Sequence, residues 1–247
     1  GVEGKRETLD LLTGAIAEYA KDRWGWEILA PNVHLATDVA TGIVESLRVF
    51  RPAGGRLALP TPCYPGFFEM LLELNFEVVE IPLLGAPGDA AAASLDLAEI
   101  EREFASEQGI DAFILCNPHN PHGVPFRAEE LAALAGLAAD HDVFVVSDEI
   151  HSPSTQPGVT FTPFISASDA AARVGYVITS ASKAFNLAGL KCALIITASD
   201  GPTQIVADLP PEVEWRTGLF GALAAVAAFA PESDEWLDSL LAALDEN

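Results

Sequence analysis

Four apolar runs in the second half of the chain constrain its fold more than any other feature: DAFILCN (111–117), VFVVSDEI (143–150), GYVITSAS (175–182) and LKCALIIT (190–197). None alternates apolar with polar residues. A strand with one wet face must alternate, so these runs read as strands covered on both faces. RAEELAALAGLAADH (127–141) lies between the first two and has the periodicity of an amphipathic helix. Buried strands separated by helices imply an α/β fold, a three-layer α/β/α sandwich around a mainly parallel sheet. Such sheets bind ligands beyond the carboxyl ends of their strands. The polar residues of this chain gather there, in the loops that follow the first three runs.

The rest of the sequence supplies matching parts. Residues 7–24 read as a helix, with Leu9, Leu12, Ile16, Ala17 and Ala20 on one side. HLATDVATGIVESLRVF (34–50) passes from a short extended start into a helix near Val39. RLALP is a strand, TPCYPGF a loop, FFEMLLEL a helix and FEVVEIPL an alternating strand. Residues 85–93, mostly Gly, Pro and Ala, read as a surface loop, and LDLAEIEREFA as a helix capped by Ser94. The alanine-rich run from Gly218 to Ala230 is too short to span a membrane and reads as a buried helix.

Composition narrows the function. The net charge of −23 repels polyanions, which argues against nucleic acid and anionic membranes as partners. Cys63, Cys116 and Cys192 are odd in number, lack CxxC spacing and sit in apolar sequence, so they read as small buried hydrophobes in a reducing compartment. The cytoplasm is the expected location. His119 and His122 flank Asn120, but no carboxylate completes a metal site at suitable spacing, so no metal is expected. The chain has only four lysines, and two of them, Lys183 and Lys191, lie in the otherwise apolar stretch TSASKAFNLAGLK (179–191) and its continuation.

Three polar loops therefore carry the chemistry: NPHNPHG (117–123), SDEIH (147–151) and TSASKAFNLAGLK. Neighbouring strands stand roughly 5 Å apart, so an Asn, an Asp and a Lys at adjacent strand ends can converge on one ring-sized ligand. A lysine in a dry pocket is pushed toward its neutral, nucleophilic amine. An aspartate at the same depth requires a positive partner, because a lone buried carboxylate is expensive. A protonated pyridine nitrogen is such a partner. Asn117 shares the local pattern of Asn120, and the sequence reads it as the turn residue of the pair.

The segments CNPHNPHGVPF, VVSDEIHSP and TSASKAFNLAGLK, together with TPCYPGFFE, resemble the fold-type I pyridoxal-phosphate enzymes in order and spacing. Within them the chain is most similar to the cystathionine β-lyase branch that includes the MalY and PatB proteins. The resemblance implies the large domain of the pyridoxal-phosphate-dependent transferase fold, with pyridoxal 5′-phosphate as cofactor. It implies that Lys183 bonds covalently to the cofactor and shuttles the proton at the substrate Cα. Asp148 would pair with the pyridine nitrogen, Asn120 would hydrogen-bond the ring oxygen, and His151 would sit near the same oxygen. Tyr64 would stack on the ring. Val39, Ala40 and Thr41 would receive the phosphate on backbone N–H groups and one hydroxyl, and Ser180 and Lys191 would complete the phosphate cup.

The resemblance further implies that residues 1–247 form the large domain, with small-domain segments on both flanks outside it. The C-terminal flank would supply an arginine for the substrate carboxylate; no arginine follows Arg216 here. The expected function is a carbon–sulfur β-lyase acting on a sulfur amino acid, in a homodimer, and releasing thiol, pyruvate and ammonia. Alternatives are an aminotransferase that exchanges an amino group with a 2-keto acid, and a non-catalytic module that keeps the cofactor fold. A plain nucleotide-binding Rossmann domain is weakened by the absence of GxGxxG after the first strand.

Overall fold

The computed structural model describes residues 2–85 and 93–246. Seven strands form one sheet in the order β1-β7-β6-β5-β4-β2-β3. They are β1 (Val33–Ala36), β2 (Gly55–Thr61), β3 (Phe76–Pro82), β4 (Ala112–Cys116), β5 (Phe144–Asp148), β6 (Gly175–Thr179) and β7 (Ala193–Ile196). The pairs β2–β3, β2–β4, β4–β5 and β5–β6 are parallel. Every residue of β4, β5 and β6 is buried, as their unbroken apolar sequence requires. β3 lies at the edge, and its alternating sequence goes with partial exposure.

β7 is the strand that keeps the sheet mainly rather than wholly parallel. It pairs antiparallel with both β6 and β1. A parallel return needs a crossover, usually a helix. Residues 180–192 instead form turns and one 3-10 stretch, Ala188–Leu190. The start of β7 therefore lies at the same end of the sheet as the carboxyl ends of β4, β5 and β6.

Helices cover both faces. On one side lie α1 (Val2–Trp24), α4 (Leu97–Phe104), α5 (Ala128–Asp140), α6 (Asp169–Val174), α9 (Leu219–Ala228) and α10 (Asp234–Asp245). They pack Leu12, Ile16, Ile100, Leu131, Leu134 and Leu237 against Phe113, Leu115, Val145 and Val177. On the other side lie α2 (Val39–Phe50), α3 (Gly66–Leu71), α7 (Asp200–Ala207) and α8 (Pro211–Trp215). Val39, Ile43, Leu47 and Phe67 there meet Ile114, Val146 and Ile178. Truncating a fully buried leucine such as Leu47 to alanine would cost about 2–5 kcal/mol.

Gly42 sets how closely α2 approaches the sheet. A Cβ at this position would stand 2.3 Å from Ile178 Cδ1. A side chain here would force the end of Ile178 to move. Below it, Ser46 Oγ shares a hydrogen bond with the Tyr176 hydroxyl in the fully buried core.

Several expectations require correction. α4 is capped by Asp96, whose side chain accepts from Glu99 N at 3.0 Å. Ser94 instead exchanges two backbone hydrogen bonds with Leu84, which draws it away from the helix start. α9 is buried on one stripe only: Gly221, Ala222, Ala225 and Ala228 are covered, whereas Leu219, Phe220 and Leu223 are exposed. α3 spans six residues, shorter than the apolar run around it. Cys116 and Cys192 are buried, but Cys63 is half-exposed. Most of the loop read at 85–93 falls outside the described residues.

Candidate active site

A 270 Å³ cavity opens at the carboxyl ends of β4, β5 and β6, beside the head of α2. Lys183, Asp148, Asn120, Tyr64, His151, Val39, Ala40, Ser180 and Lys191 all line it. Nine of the ten residues singled out from sequence thus come together around one space, although they span positions 39 to 191.

Asp148 ends β5 and forms the floor. It is 6 % exposed, and its Oδ1 accepts from Ile150 N at 3.0 Å. Burial pushes its carboxyl up to about 6, against smaller opposing effects from the Ile150 N–H and the Lys183 charge. Among the described residues no cation makes a salt bridge with it. This floor is an anionic group whose ionisation is opposed by its surroundings, and a cationic ring nitrogen would answer it.

Lys183 follows β6, the strand next to β5, and lines the same cavity. It is exposed in the chain alone, which corrects the expectation of a dry lysine. The apolar residues that suggested burial, Ala181 and Ala184, turn inward, while the lysine between them turns out. His151 is half-buried, and burial followed by the Lys183 charge lowers its affinity for a proton.

The two asparagines of NPHNP separate cleanly. Asn120 lines the cavity. Asn117 is fully buried; its Nδ2 donates to Thr162 O at 3.1 Å and its Oδ1 accepts from Phe126 N at 3.0 Å. Asn117 is therefore the structural member of the pair. Tyr64 stands edge-on to Phe67, with ring centroids 5.6 Å apart. A Cβ on Gly66 would come within 2.3 Å of the Tyr64 ring, so glycine leaves the space that ring occupies.

The anion-binding end differs in detail from the sequence expectation. Thr41 does not line the cavity, and its N–H donates to Asp38 Oδ1 at 2.8 Å. Asp38 is the N-cap of α2, and the cap takes the donor that the sequence assigned to phosphate. The N–H groups of Val39 and Ala40 have no protein acceptor among the described residues. Ser180 Oγ is engaged: it donates to Cys192 O at 2.6 Å and accepts from Ser182 N at 3.1 Å, joining the ends of β6 and β7. Lys191 is exposed, adopts a left-handed φ of 57°, and forms an ion pair with Asp38 at 2.9 Å.

Sequence reasoning missed Asp38, Ser182, Cys116 and Ile150, which also line the cavity. Asp38 had a legible signal, an acidic residue just before a helix start. Its ion pair had none, because Lys191 lies 153 positions away. His119 and His122 bring their Nδ1 atoms within 3.0 Å of each other, and His119 lines a second cavity that shares Asn120 and His151 with the first. Burial holds His119 neutral, down to about 4.

A mainly parallel sheet with a lysine, a buried aspartate and an asparagine around one cavity at its strand ends defines the pyridoxal-phosphate-dependent transferase fold. The chain belongs to the aminotransferase class I and II family, whose model matches residues 4–245. A Mycobacterium tuberculosis protein provisionally named a cystathionine β-lyase is 36% identical over 94% of this chain and 56% of its own length. The cystathionine β-lyase PatB of Bacillus subtilis is 31% identical over 94% of this chain and 59% of its own. A Corynebacterium diphtheriae crystal structure, provisionally named a pyridoxal-phosphate-dependent β-cystathionase, superposes with a TM-score of 0.85 at 33% identity, over 96% of this chain and 60% of that one. The chain thus spans rather more than half the length of these relatives.

Proposed function

We propose that the chain is the cofactor-holding large domain of a pyridoxal-phosphate-dependent carbon–sulfur β-lyase. The observation that carries this reading is the cavity that joins Lys183, Asn120 and Tyr64 to a buried, uncompensated Asp148. The relatives named as cystathionine β-lyases support the choice of chemistry.

The donor set fits the cofactor. Asp148 offers a buried carboxylate that would hold a proton on a ring nitrogen. Asn120 can donate its amide to a ring oxygen, with His151 adjacent. Tyr64 would cover a ring face, and Val39 N–H, Ala40 N–H and Lys191 would offer donors to a phosphate. When bound, pyridoxal phosphate supplies an electron sink next to the substrate Cα. Lys183 acts twice: its amine is the covalent anchor, and once free it removes the Cα proton as a base. Loss of that proton lets a thiolate leave Cβ, and hydrolysis of the remaining fragment gives pyruvate and ammonia.

The same reading makes the ligand a small amino acid, the assembly a homodimer and the compartment the cytoplasm. No helix among the described residues is long and apolar enough to cross a membrane.

The test begins with the visible spectrum after addition of pyridoxal phosphate. A band present in the wild type and absent in Lys183→Ala is expected; its absence in both sinks the assignment. Cystathionine is then supplied to the full-length protein. Pyruvate release supports the lyase, whereas amino exchange with a 2-keto acid and no pyruvate selects the aminotransferase.

A further inference from the structure

The head of α2 already holds an anion from the protein itself. Asp38 Oδ1 accepts from Thr41 N at 2.8 Å, and Asp38 Oδ2 accepts from Lys191 Nζ at 2.9 Å. The Thr41 N–H and the Lys191 ammonium are two of the groups that a phosphate at this helix head would use. Asp38 lines the cavity with Val39 and Ala40, whose N–H groups remain open. Its carboxyl is held below the ordinary carboxylate range: burial opposes this, and the bonds from Thr41 and Lys191 outweigh it. Asp38 is therefore charged at neutral pH.

Charge at this end is not balanced for a second anion. Of the two lysines that line the cavity, Lys183 follows β6, and Lys191, the one that meets the head of α2, is paired with Asp38. The Lys191 backbone adopts a left-handed φ between the Ala188–Leu190 stretch and β7, and its ammonium reaches Asp38 Oδ2. Ser180 has committed its proton to Cys192 O. A phosphate that docks on Val39 and Ala40 meets a carboxylate, and it gains Lys191 only by taking it from Asp38.

We propose that Asp38 is a built-in competitor for the phosphate group and sets how tightly this site holds any phosphorylated ligand. The proposal rests on the cofactor reading above for the identity of the ligand, but the competition itself is a property of the helix head. Asparagine at position 38 would keep the oxygen that caps Thr41 N and remove the charge, which frees Lys191. Because Lys191 and Asp38 are partly solvated, the effect is largest at low ionic strength.

Two ligands test the inference separately. The first is inorganic phosphate, titrated by calorimetry into the wild type, Asp38→Asn, Lys191→Ala and the double variant. Asp38→Asn is expected to bind phosphate about tenfold tighter, equivalent to about 1.4 kcal/mol. In the Lys191→Ala background the part of the gain that comes from freeing Lys191 should disappear, leaving the part that comes from removing the carboxylate's repulsion. Equal or weaker binding by Asp38→Asn overturns the proposal and leaves Asp38 as a cap that merely positions Lys191. Asp38→Ser, which also caps, serves as a second variant should the first fold poorly.

The second ligand pair is pyridoxal phosphate against pyridoxal. Tighter binding confined to the phosphorylated form is expected, and equal tightening of both overturns the proposal. If the wild type shows no Lys183-dependent band, the cofactor reading fails. The inorganic phosphate titration still decides the role of Asp38.

Discussion

Asp148 and Glu149 are consecutive buried carboxyls at the end of β5, and they stand on opposite faces of the sheet. Asp148 shares its face with Cys116 and Ile178, its register partners, below the head of α2. Glu149 points to the α5 side, where its Oε1 accepts from Ser147 Oγ at 2.9 Å and from Phe164 N at 2.7 Å. Burial raises both, Asp148 to about 6 and Glu149 to about 8. Desolvation is thus shared. The protein supplies Glu149 Oε1 with two donors from its own core, although Oε2 is buried without a partner, and leaves Asp148 facing a cavity with a single backbone N–H. What separates the two is surroundings: Glu149 is enclosed by the core, whereas Asp148 faces an open cavity, which makes it the candidate binding group.

The sharpest way to break this contrast is Asp148→Ala. If Asp148 serves only the cofactor, the variant should lose on the order of a hundredfold or more in turnover of the full-length protein. Its thermal midpoint without cofactor should hold or rise, since a buried charge has been removed. A lowered midpoint would place Asp148 with Glu149. The mirror variant, Glu149→Ala, should cost about 1–3 kcal/mol for each donor it orphans, read by urea unfolding, and should retain the visible cofactor band.

The two asparagines extend the comparison at smaller amplitude. Asn117→Ala removes two buried hydrogen bonds and should destabilise by about 1–3 kcal/mol. Asn120→Ala should leave stability within about 0.5 kcal/mol and shift the cofactor absorbance instead.

The contrast also has a pH dependence. Glu149 has a folded pKa of about 8 against an ordinary 4.5, so the folded chain binds more protons than the unfolded one between those values. Stability from this group is present below about 4.5 and is lost as pH rises toward 8. Glu149→Gln should flatten the slope of the thermal midpoint between pH 6 and about 8, to the extent that titration of this one group sets it. An unchanged slope would show that another group dominates.

Much of this was legible in the sequence because hydrophobic runs report coverage directly. The unbroken apolar runs of β4, β5 and β6 marked buried strands, and the polar residues just after them marked the cavity. Strand direction was less legible: β7 has the same apolar grammar as its neighbours, and only the lack of a crossover helix before it reverses it. Exposure of Lys183 was misread because flanking alanines describe the average of a turn and not the side on which each residue emerges. The Asp38–Lys191 pair joins two distant segments and leaves no local trace at either.

The strand order carries one last consequence. The cavity draws on α2, on the ends of β4, β5 and β6, and on the start of β7, which is itself pinned by β1. No single hairpin or helix pair holds a working fraction of these groups, so the binding site has high contact order and forms only when the central sheet is complete. Ligand affinity and global folding are then one cooperative equilibrium. A ligand present at a hundred times its dissociation constant would add about 2.7 kcal/mol to the stability of the whole domain, and loss of β1–β7 pairing would release it.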